Sequence, residues 1–537
     1  MRSIASGLDP VTPVVNILER NATIHQEVVA AMRDPAFYSP APPSVEVRET
    51  HASIVFLAGD RAYKVKKPVR FEFLDYSILP RRRKLCTEEV RLNRRLAPGL
   101  YRGVRSIVRT ADGFALGPED ASGAVEYAVE MRRFDERRTL ASRLARHHVD
   151  REQIGQIAAR LAAFHAEAEV VDPAADPRRQ LKRTSGETFT SLFELVPADL
   201  QAAVIAAERY TGAYLIRRAG DFLERALSGL VRDGHGDLRA EHVLLEHELE
   251  IVDCVEFDPG LRRIDVASDL AFLVMDLHRL GAPDLAAELV AAYRASGGDP
   301  GDDGLVAFYA AQRAWVRAKV ELLRANQLEL LGEPAGPARE AAHALLSLGR
   351  RFAWASRQPL LIVICGLSGS GKSHLAGALS AQSGFPAISS DVVRKRLAGI
   401  NPLQRAEPEQ YTSEFSEKTY AELGRLARAE LERGGTVIVD ATFRGAADRR
   451  AFAGGGTDLL EHARFVECLT PRELRLRRTQ RRAKGPATSD ATPGVAAAQT
   501  FEALTELPAS RHLPLRTDRA IESCVAAVES WLDSPGG

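Results

Sequence analysis

The sequence predicts a chain of two domains, α+β in its first part and α/β in its second. Three observations lead there. Between residues 45 and 131 short alternating segments are punctuated by turn signals, and after Arg132 long Ala/Leu/Arg-rich stretches with helical spacing take over. From Pro359 onward the order becomes strand, helix, strand, helix, the signature of a parallel β-sheet covered by helices. At 537 residues the chain also exceeds what a single core usually spans. The expected bounds are an N-terminal extension over 1–44, a first domain over 45–345 and a second domain over 357–537. Within the first domain a strand-rich lobe runs to about 135 and a helical lobe from about 136.

In the extension, Val14–Met32 has helical character and Pro35–Pro43 is a connector. Val45–Thr50 then alternates, Ile54–Leu57 is apolar, Gly59-Asp60 signals a turn, and Ala62–Lys66 alternates again. Leu79–Leu96 reads as a charged helix carrying Glu88 and Glu89, and Leu100–Met131 as strands broken at Asp112-Gly113 and Ser122-Gly123. Leu140–His147, Gln153–Ala168 and Leu195–Gly229 follow as helices, the second with Asp150 as its N-cap. A strand-like part covers His235–Phe257, and helices continue to about Phe352, with Trp315–Lys319 expected on a helix surface. Ala335–Trp354 is expected to join the halves, and Gln358-Pro359 marks the boundary. The second domain should have strands at Leu360–Cys365, Ala387–Ser389, Thr436–Asp440 and Arg464–Leu469, with helices between them. Ala483–Pro493, rich in Gly, Pro, Ser and Thr, forms a candidate lid.

Composition narrows the function classes. The chain is 45% hydrophobic and 27% charged, as soluble globular proteins are, and its 72 basic residues balance 72 acidic ones. Such neutrality disfavours nucleic acid and an anionic membrane as partners. No stretch has membrane-spanning length and the N-terminus lacks a signal pattern. Cys86, Cys254, Cys365, Cys468 and Cys524 have no metal-ligand spacing and fit buried free thiols. A cytoplasmic protein is the expectation; its oligomeric state is left open.

The residues Gly366, Leu367, Ser368, Gly369, Ser370, Gly371, Lys372 and Ser373 stand between an apolar strand and a helix. That is the context of a phosphate-binding loop. Its glycines let backbone N–H groups converge on phosphate oxygens, at a helix N-terminus whose partial positive charge favours anions. Lys372 is expected to reach the outer phosphates and Ser373 to place its hydroxyl on Mg²⁺, so ATP and Mg²⁺ are the expected cofactors. Asp391 follows the second strand and can accept a hydroxyl proton, or N-cap the next helix. Beside it, Arg394 or Lys395 can hold an acceptor. Asp440 ends an apolar strand and is expected in the Mg²⁺ shell, the bland alternative being a turn. Arg475, Arg478 and Arg482 lie on a helix before the candidate lid, the last two on one face, where they suit charge building up on a transferred phosphoryl group. Their alternative is a solvated face.

On these residues, 359 to about 520 resembles the AAA-type P-loop kinases that phosphorylate small molecules or polynucleotide ends, including the zeta-toxin, chloramphenicol-phosphotransferase and gluconate-kinase-like groups. The resemblance rests on Gly366–Ser373, Ser390-Asp391 with Arg394, Asp440-Ala441-Thr442-Phe443, and Arg478 with Arg482 followed by Ser489-Asp490-Ala491. It implies Asp391 as the catalytic base and Arg478 and Arg482 as catalytic phosphate contacts.

A second signal lies upstream. His235-Gly236-Asp237-Leu238 precedes His242 and a strand that ends at Asp253, and two such carboxylates can divide proton handling and metal binding between them. This pattern resembles the aminoglycoside phosphotransferase family, which has a protein-kinase-like fold, over about residues 45 to 345. The resemblance implies Asp237 as the catalytic Asp and Asp253 as the metal-binding Asp, with Asp269-Leu270-Ala271 structural. It implies Lys64 as the phosphate-contacting lysine, with Lys66 as a rival, and Glu89 or Glu88 as its ion-pair partner. Thr50–Ser53 would cover the phosphates. His242 stands where that family usually has an Asn metal ligand, and Arg239 where His is common. The whole layout resembles bacterial two-domain proteins of the aminoglycoside phosphotransferase/ATP-binding type. The expected function is ATP-dependent transfer of the γ-phosphoryl group to a hydroxyl of a small molecule. A P-loop ATPase switch regulated by a pseudokinase-like first domain, and a polynucleotide-end kinase, are the alternatives.

Overall fold

The computed structural model describes residues 23–50, 52–71, 74–172, 177–454, 459–460, 463–482 and 489–534. Two compact units make up the chain, Met1–Pro177 with Leu223–Gly301, and Arg178–Phe222 with Asp302–Gly537. The helical segments 178–222 and 302–345 thus group with the parallel sheet, whereas the bounds read from the sequence place them in the first domain.

The first unit carries a six-stranded antiparallel sheet. Its order is Val45–Glu49, Ser53–Ala58, Arg61–Lys66, Ala124–Arg132, Tyr101–Thr110, Gly113–Gly117. Alternation along Arg61–Lys66 sends Ala62, Lys64 and Lys66 to one face and Tyr63 and Val65 to the other. Tyr63 and Val65 pack with Phe56, Ile107, Val28 and Met32. Ala62 packs with Cys86 and Val90 of helix Leu79–Asn93 and with Val129 and Val252. The lysine face is therefore the face that the helix covers. Asp150 caps helix Arg151–Glu167 in a reciprocal capping box with Gln153. The hairpin Val243–Leu245/Leu249–Ile251 and the pair Val231–Asp233/Arg263–Asp265 frame two loops, 234–242 and 252–258, that hold the candidate residues. Of the expected helix Val14–Met32, residues 23–32 are helical; the rest lies outside the described residues.

The second unit is a five-stranded parallel sheet in the order Ala387–Ser389, Thr436–Asp440, Leu360–Cys365, Ala463–Leu469, His512–Arg516. Its central strand is buried throughout, as continuous apolar runs in parallel sheets are. One face packs under Lys372–Ser383 and Ile521–Leu532, the other under Ser413–Glu432. The fifth strand departs from expectation. Pro514 argues against a strand, but His512–Arg516 lies at the sheet's edge, where a missing N–H is tolerated.

Two helical expectations are corrected and one helix is added. Leu195–Gly229 is not one helix: Pro197 opens Ala198–Arg217, and Arg218 leaves helical backbone to pair with Asp221 and, at 2.6 Å, with Asp302. Helix Pro177–Leu195 was not anticipated, because its buried face mixes Ser185 and Thr188 with Phe189 and Leu192 and so hides the apolar period. Trp315 is not on a surface. It is 2% exposed and packs edge-on to Phe189, and Gly349 makes room for it, since a Cβ there would meet the indole nitrogen at 2.4 Å. All five cysteines are buried and free. Among the described residues no helix is long and apolar enough to cross a membrane.

Candidate active sites

In the second unit the strand Leu360–Cys365 delivers the glycine-rich loop to the N-terminus of helix Lys372–Ser383. Gly369 has φ 81°, and a Cβ there would stand 2.5 Å from the carbonyl of Arg475, so only glycine fits. The loop is braced from outside the motif. Ser368 N–H donates to Gln499 at 2.8 Å, and the hydroxyls of Thr470 and Thr517 donate to the Ser370 carbonyl at 3.1 and 2.6 Å. Lys372 Nζ lies 3.2 Å from the Leu367 carbonyl, and the buried Ser370 hydroxyl finds no partner among the described residues. These braces escaped the sequence reading because Gln499 and Thr517 sit in irregular segments with no motif.

Asp440 is the electrostatic hub. Burial pushes its carboxyl up, Lys372 and the Ser373 hydroxyl pull it back, Asp391 pushes it up again, and Arg482 pulls it down. Four other sequence candidates thus act on Asp440, at the carboxyl end of its strand, where open parallel sheets bind ligands. Asp391 is the second residue of helix Ser390–Leu397, whose N-cap is Ser389, so the capping role considered for it does not hold. Its half-buried carboxylate accepts no hydrogen bond among the described residues. Lys395 is committed to Asp490 at 3.2 Å and to the Pro402 carbonyl, which corrects its reading as an acceptor ligand. Arg394 lies over Tyr411 with a buried Nε that has no partner among the described residues. Arg478 donates to the Thr517 carbonyl at 3.0 Å and stands beside Gly371; Arg482 donates to the Ala491 carbonyl at 3.3 Å. Arg475 is buried beneath the loop, toward Ser368 and Ala496 carbonyls. Of the candidate lid, 483–488 lies outside the described residues.

In the first unit Lys64 joins Glu89 at 2.9 Å and Asp253 at 2.8 Å. Burial works against its charge, but Asp253 and Glu89 outweigh it and hold the ammonium well above the ordinary lysine range. Lys64 in turn holds the Asp253 carboxyl well below the usual carboxylate range. Lys66, on the same strand face, also binds Glu89, at 2.6 Å, but is wholly buried with Glu256 and Tyr76. Glu88 instead faces Arg91 and Arg262. Lys64 is therefore the partly exposed lysine of the pair, and both lysines meet on the buried Glu89. Thr50 closes a turn onto Ser53, while His51 lies outside the described residues.

Asp237 accepts from Arg239 at 3.0 Å. Its loop hangs on Asp269, which takes the N–H groups of His235 and Gly236 at 2.6 and 2.9 Å and faces His165 at 3.2 Å. Burial would raise the Asp269 carboxyl, yet these bonds hold it well below the usual range. His235 donates from Nε2 to the Val252 carbonyl at 2.9 Å and accepts the Asp237 N–H at Nδ1, so it ties the two acidic loops together as a neutral ring. Burial pushes its imidazole down from 6.5 to about 4. Between those values the unfolded chain binds a proton that the folded chain refuses, so stability falls as pH drops through this window. The loss by pH 4 is on the order of 3 kcal/mol. Hydrogen exchange over residues 234–237 is expected to lose protection as pH falls from 6.5 toward 4, and His235→Gln is expected to flatten that dependence; equal profiles would contradict it.

Metal fit differs between the units. Ser373 and Asp440 offer adjacent hard oxygen donors suited to Mg²⁺, and Asp253 offers another in the first unit. His242 does not fit, because a guanidinium already takes its ring nitrogen at 3.0 Å. Among the described residues no group of three or more His, Cys, Asp or Glu is arranged to hold a metal ion by itself.

A model described as an AAA domain matches residues 361–504. The uncharacterized protein Rv2004c of Mycobacterium tuberculosis is 32% identical over 471 residues, covering 85% of this chain and 89% of the relative. A solved gluconokinase from Sinorhizobium meliloti is similar over 32% of this chain and 91% of its own, at 20% identity and TM-score 0.25. The ADP-bound aminoglycoside phosphotransferase APH(2'')-Ib is similar over 57% of this chain and 93% of its own, at 13% identity and TM-score 0.30.

Proposed function

For a chain that belongs to the same family as the mycobacterial protein Rv2004c, we propose that the second unit is an ATP-dependent phosphotransferase whose acceptor is a hydroxyl of a small molecule. The first unit also binds nucleotide and is the weaker catalyst. One observation carries the reading: a second carboxylate, Asp391, faces the same site as Asp440 and is bound to nothing else among the described residues. A switch that only hydrolyses ATP needs the loop, Ser373 and Asp440. A kinase needs in addition a base that can take the acceptor's proton.

The roles follow from chemistry. Loop N–H groups and Lys372 hold the phosphates. Ser373 and Asp440 would hold Mg²⁺, which when bound neutralises charge on the phosphate oxygens. Asp391 accepts the proton of the acceptor hydroxyl, Arg394 stands on the acceptor side, and Arg478 and Arg482 stabilise charge on the transferred group. In the first unit Lys64, Glu89 and Asp253 supply a phosphate-binding set, while Arg239 engages Asp237, the residue that would act as base.

The test incubates the chain with γ-labelled Mg-ATP and a metabolite extract, with nucleic-acid ends as separate acceptors at low and high salt. Label in a small organic product supports the reading. Label only in free phosphate supports a switch, and salt-sensitive label in nucleic acid supports an end kinase.

A further inference from the structure

We propose that Arg239 is a resident cation of the first unit's site. Its guanidinium holds the place between Asp237 and His242, so a nucleoside triphosphate binds there with one divalent ion, on Asp253, and none on His242. This rests on the nucleotide reading of that site given above.

The geometry around Arg239 is specific. Its Nη2 stands 3.0 Å from Asp237 Oδ2 and 3.0 Å from His242 Nε2. Nε donates to the same Asp237 oxygen at 3.0 Å, and Nη1 pairs with Glu241. A guanidinium has donors only, so Nε2 of His242 must be the acceptor. The ring proton is then on Nδ1, which donates to the Asp237 carbonyl at 2.9 Å. Both ring nitrogens are therefore committed, and neither has a lone pair left for a metal. A divalent ion on Nε2 would have to expel Arg239, whose side chain is only 15% exposed, from its carboxylates. Breaking such a partly buried set is costly, and imidazole is a poor Mg²⁺ ligand in return.

Asp253 is different. Its side chain is 46% exposed; Oδ1 rests on Lys64 at 2.8 Å, and Oδ2 lies 3.7 Å from His242 Nε2, beyond hydrogen-bond reach. It can accept one ion without displacing a cation. Arg239 also ties up the Asp237 carboxylate, which gives the weaker catalysis of this unit a local cause.

The experiment counts ions. The full chain carries Lys372→Ala and Ser373→Ala to silence the second unit. Bound Mn²⁺ is counted by electron paramagnetic resonance with a non-hydrolysable ATP analogue, whose own binding is measured separately. This parent chain is expected to hold one analogue-dependent Mn²⁺, lost in Asp253→Asn. Adding Arg239→Ala is expected to raise the count to two, and adding His242→Gln to that variant to return it to one. Two ions in the parent overturn the proposal with no substitution at the site needed. So does a count of one in an Arg239→Ala chain that binds the analogue and melts like the parent. Failure of the parent to bind the analogue overturns the nucleotide reading itself, and the proposal falls with it.

Discussion

Lys372→Ala is expected to lower phosphoryl transfer on the order of 10²–10³-fold or more, the usual effect of removing a group aimed at developing charge. Two losses combine. Lys372 is the cation of the phosphate-binding loop, and it is also the strongest counterweight to the burial that raises the Asp440 carboxyl. Without it Asp440 shifts further toward its neutral form, which is the wrong form for Mg²⁺. Nucleotide affinity and Mg²⁺ affinity should therefore fall together, and the Mg²⁺ loss should deepen as pH drops. Lys372→Arg keeps the charge but not the shape, and should restore Asp440 more fully than it restores transfer. Isothermal titration with Mg²⁺ and nucleotide, beside a transfer assay, checks both. Unchanged Mg²⁺ affinity in Lys372→Ala would contradict the coupling.

Asp391→Asn is expected to reduce transfer by about 10²–10⁴-fold, the span that a positioned general base contributes. Mg²⁺-nucleotide binding should hold or tighten slightly, because loss of the Asp391 charge removes one cause that raises the Asp440 carboxyl. Stability should move by no more than about 0.5 kcal/mol, because the side chain accepts no hydrogen bond within the described residues. Slow release of free phosphate should persist, since water attack does not need that carboxylate. The acid limb of the pH–rate profile should disappear with the base. A variant that keeps wild-type transfer would remove Asp391 from the chemistry and return the second unit to the switch reading.

What the sequence made legible was local. The phosphate-binding loop is eight consecutive residues, and its strand and helix announce themselves on either side. The strands Ala387–Ser389 and Thr436–Asp440 were readable because each is an apolar run ending at a polar residue. Partners across the fold were not. Adjacent carboxylates on one helix cannot be told apart by spacing; Glu89 is chosen by the two lysines facing it, and Glu88 by Arg262. Lys395 looked available until Asp490, far along the chain, took it. Trp315 looked exposed because the glycine that receives it is on another helix. Arg239 stood out only as a departure from a pattern; its meaning depends on His242 and Asp237 sharing one guanidinium.

The most direct test of the central claim is transfer of labelled γ-phosphate from Mg-ATP into a small-molecule pool, with wild type run beside Lys372→Ala and Asp237→Ala. Label that requires Lys372 and survives loss of Asp237 is the predicted result, with the second unit as the kinase and the first as a nucleotide-binding module. Label that survives Lys372→Ala and vanishes with Asp237→Ala would place the chemistry in the first unit and contradict the account.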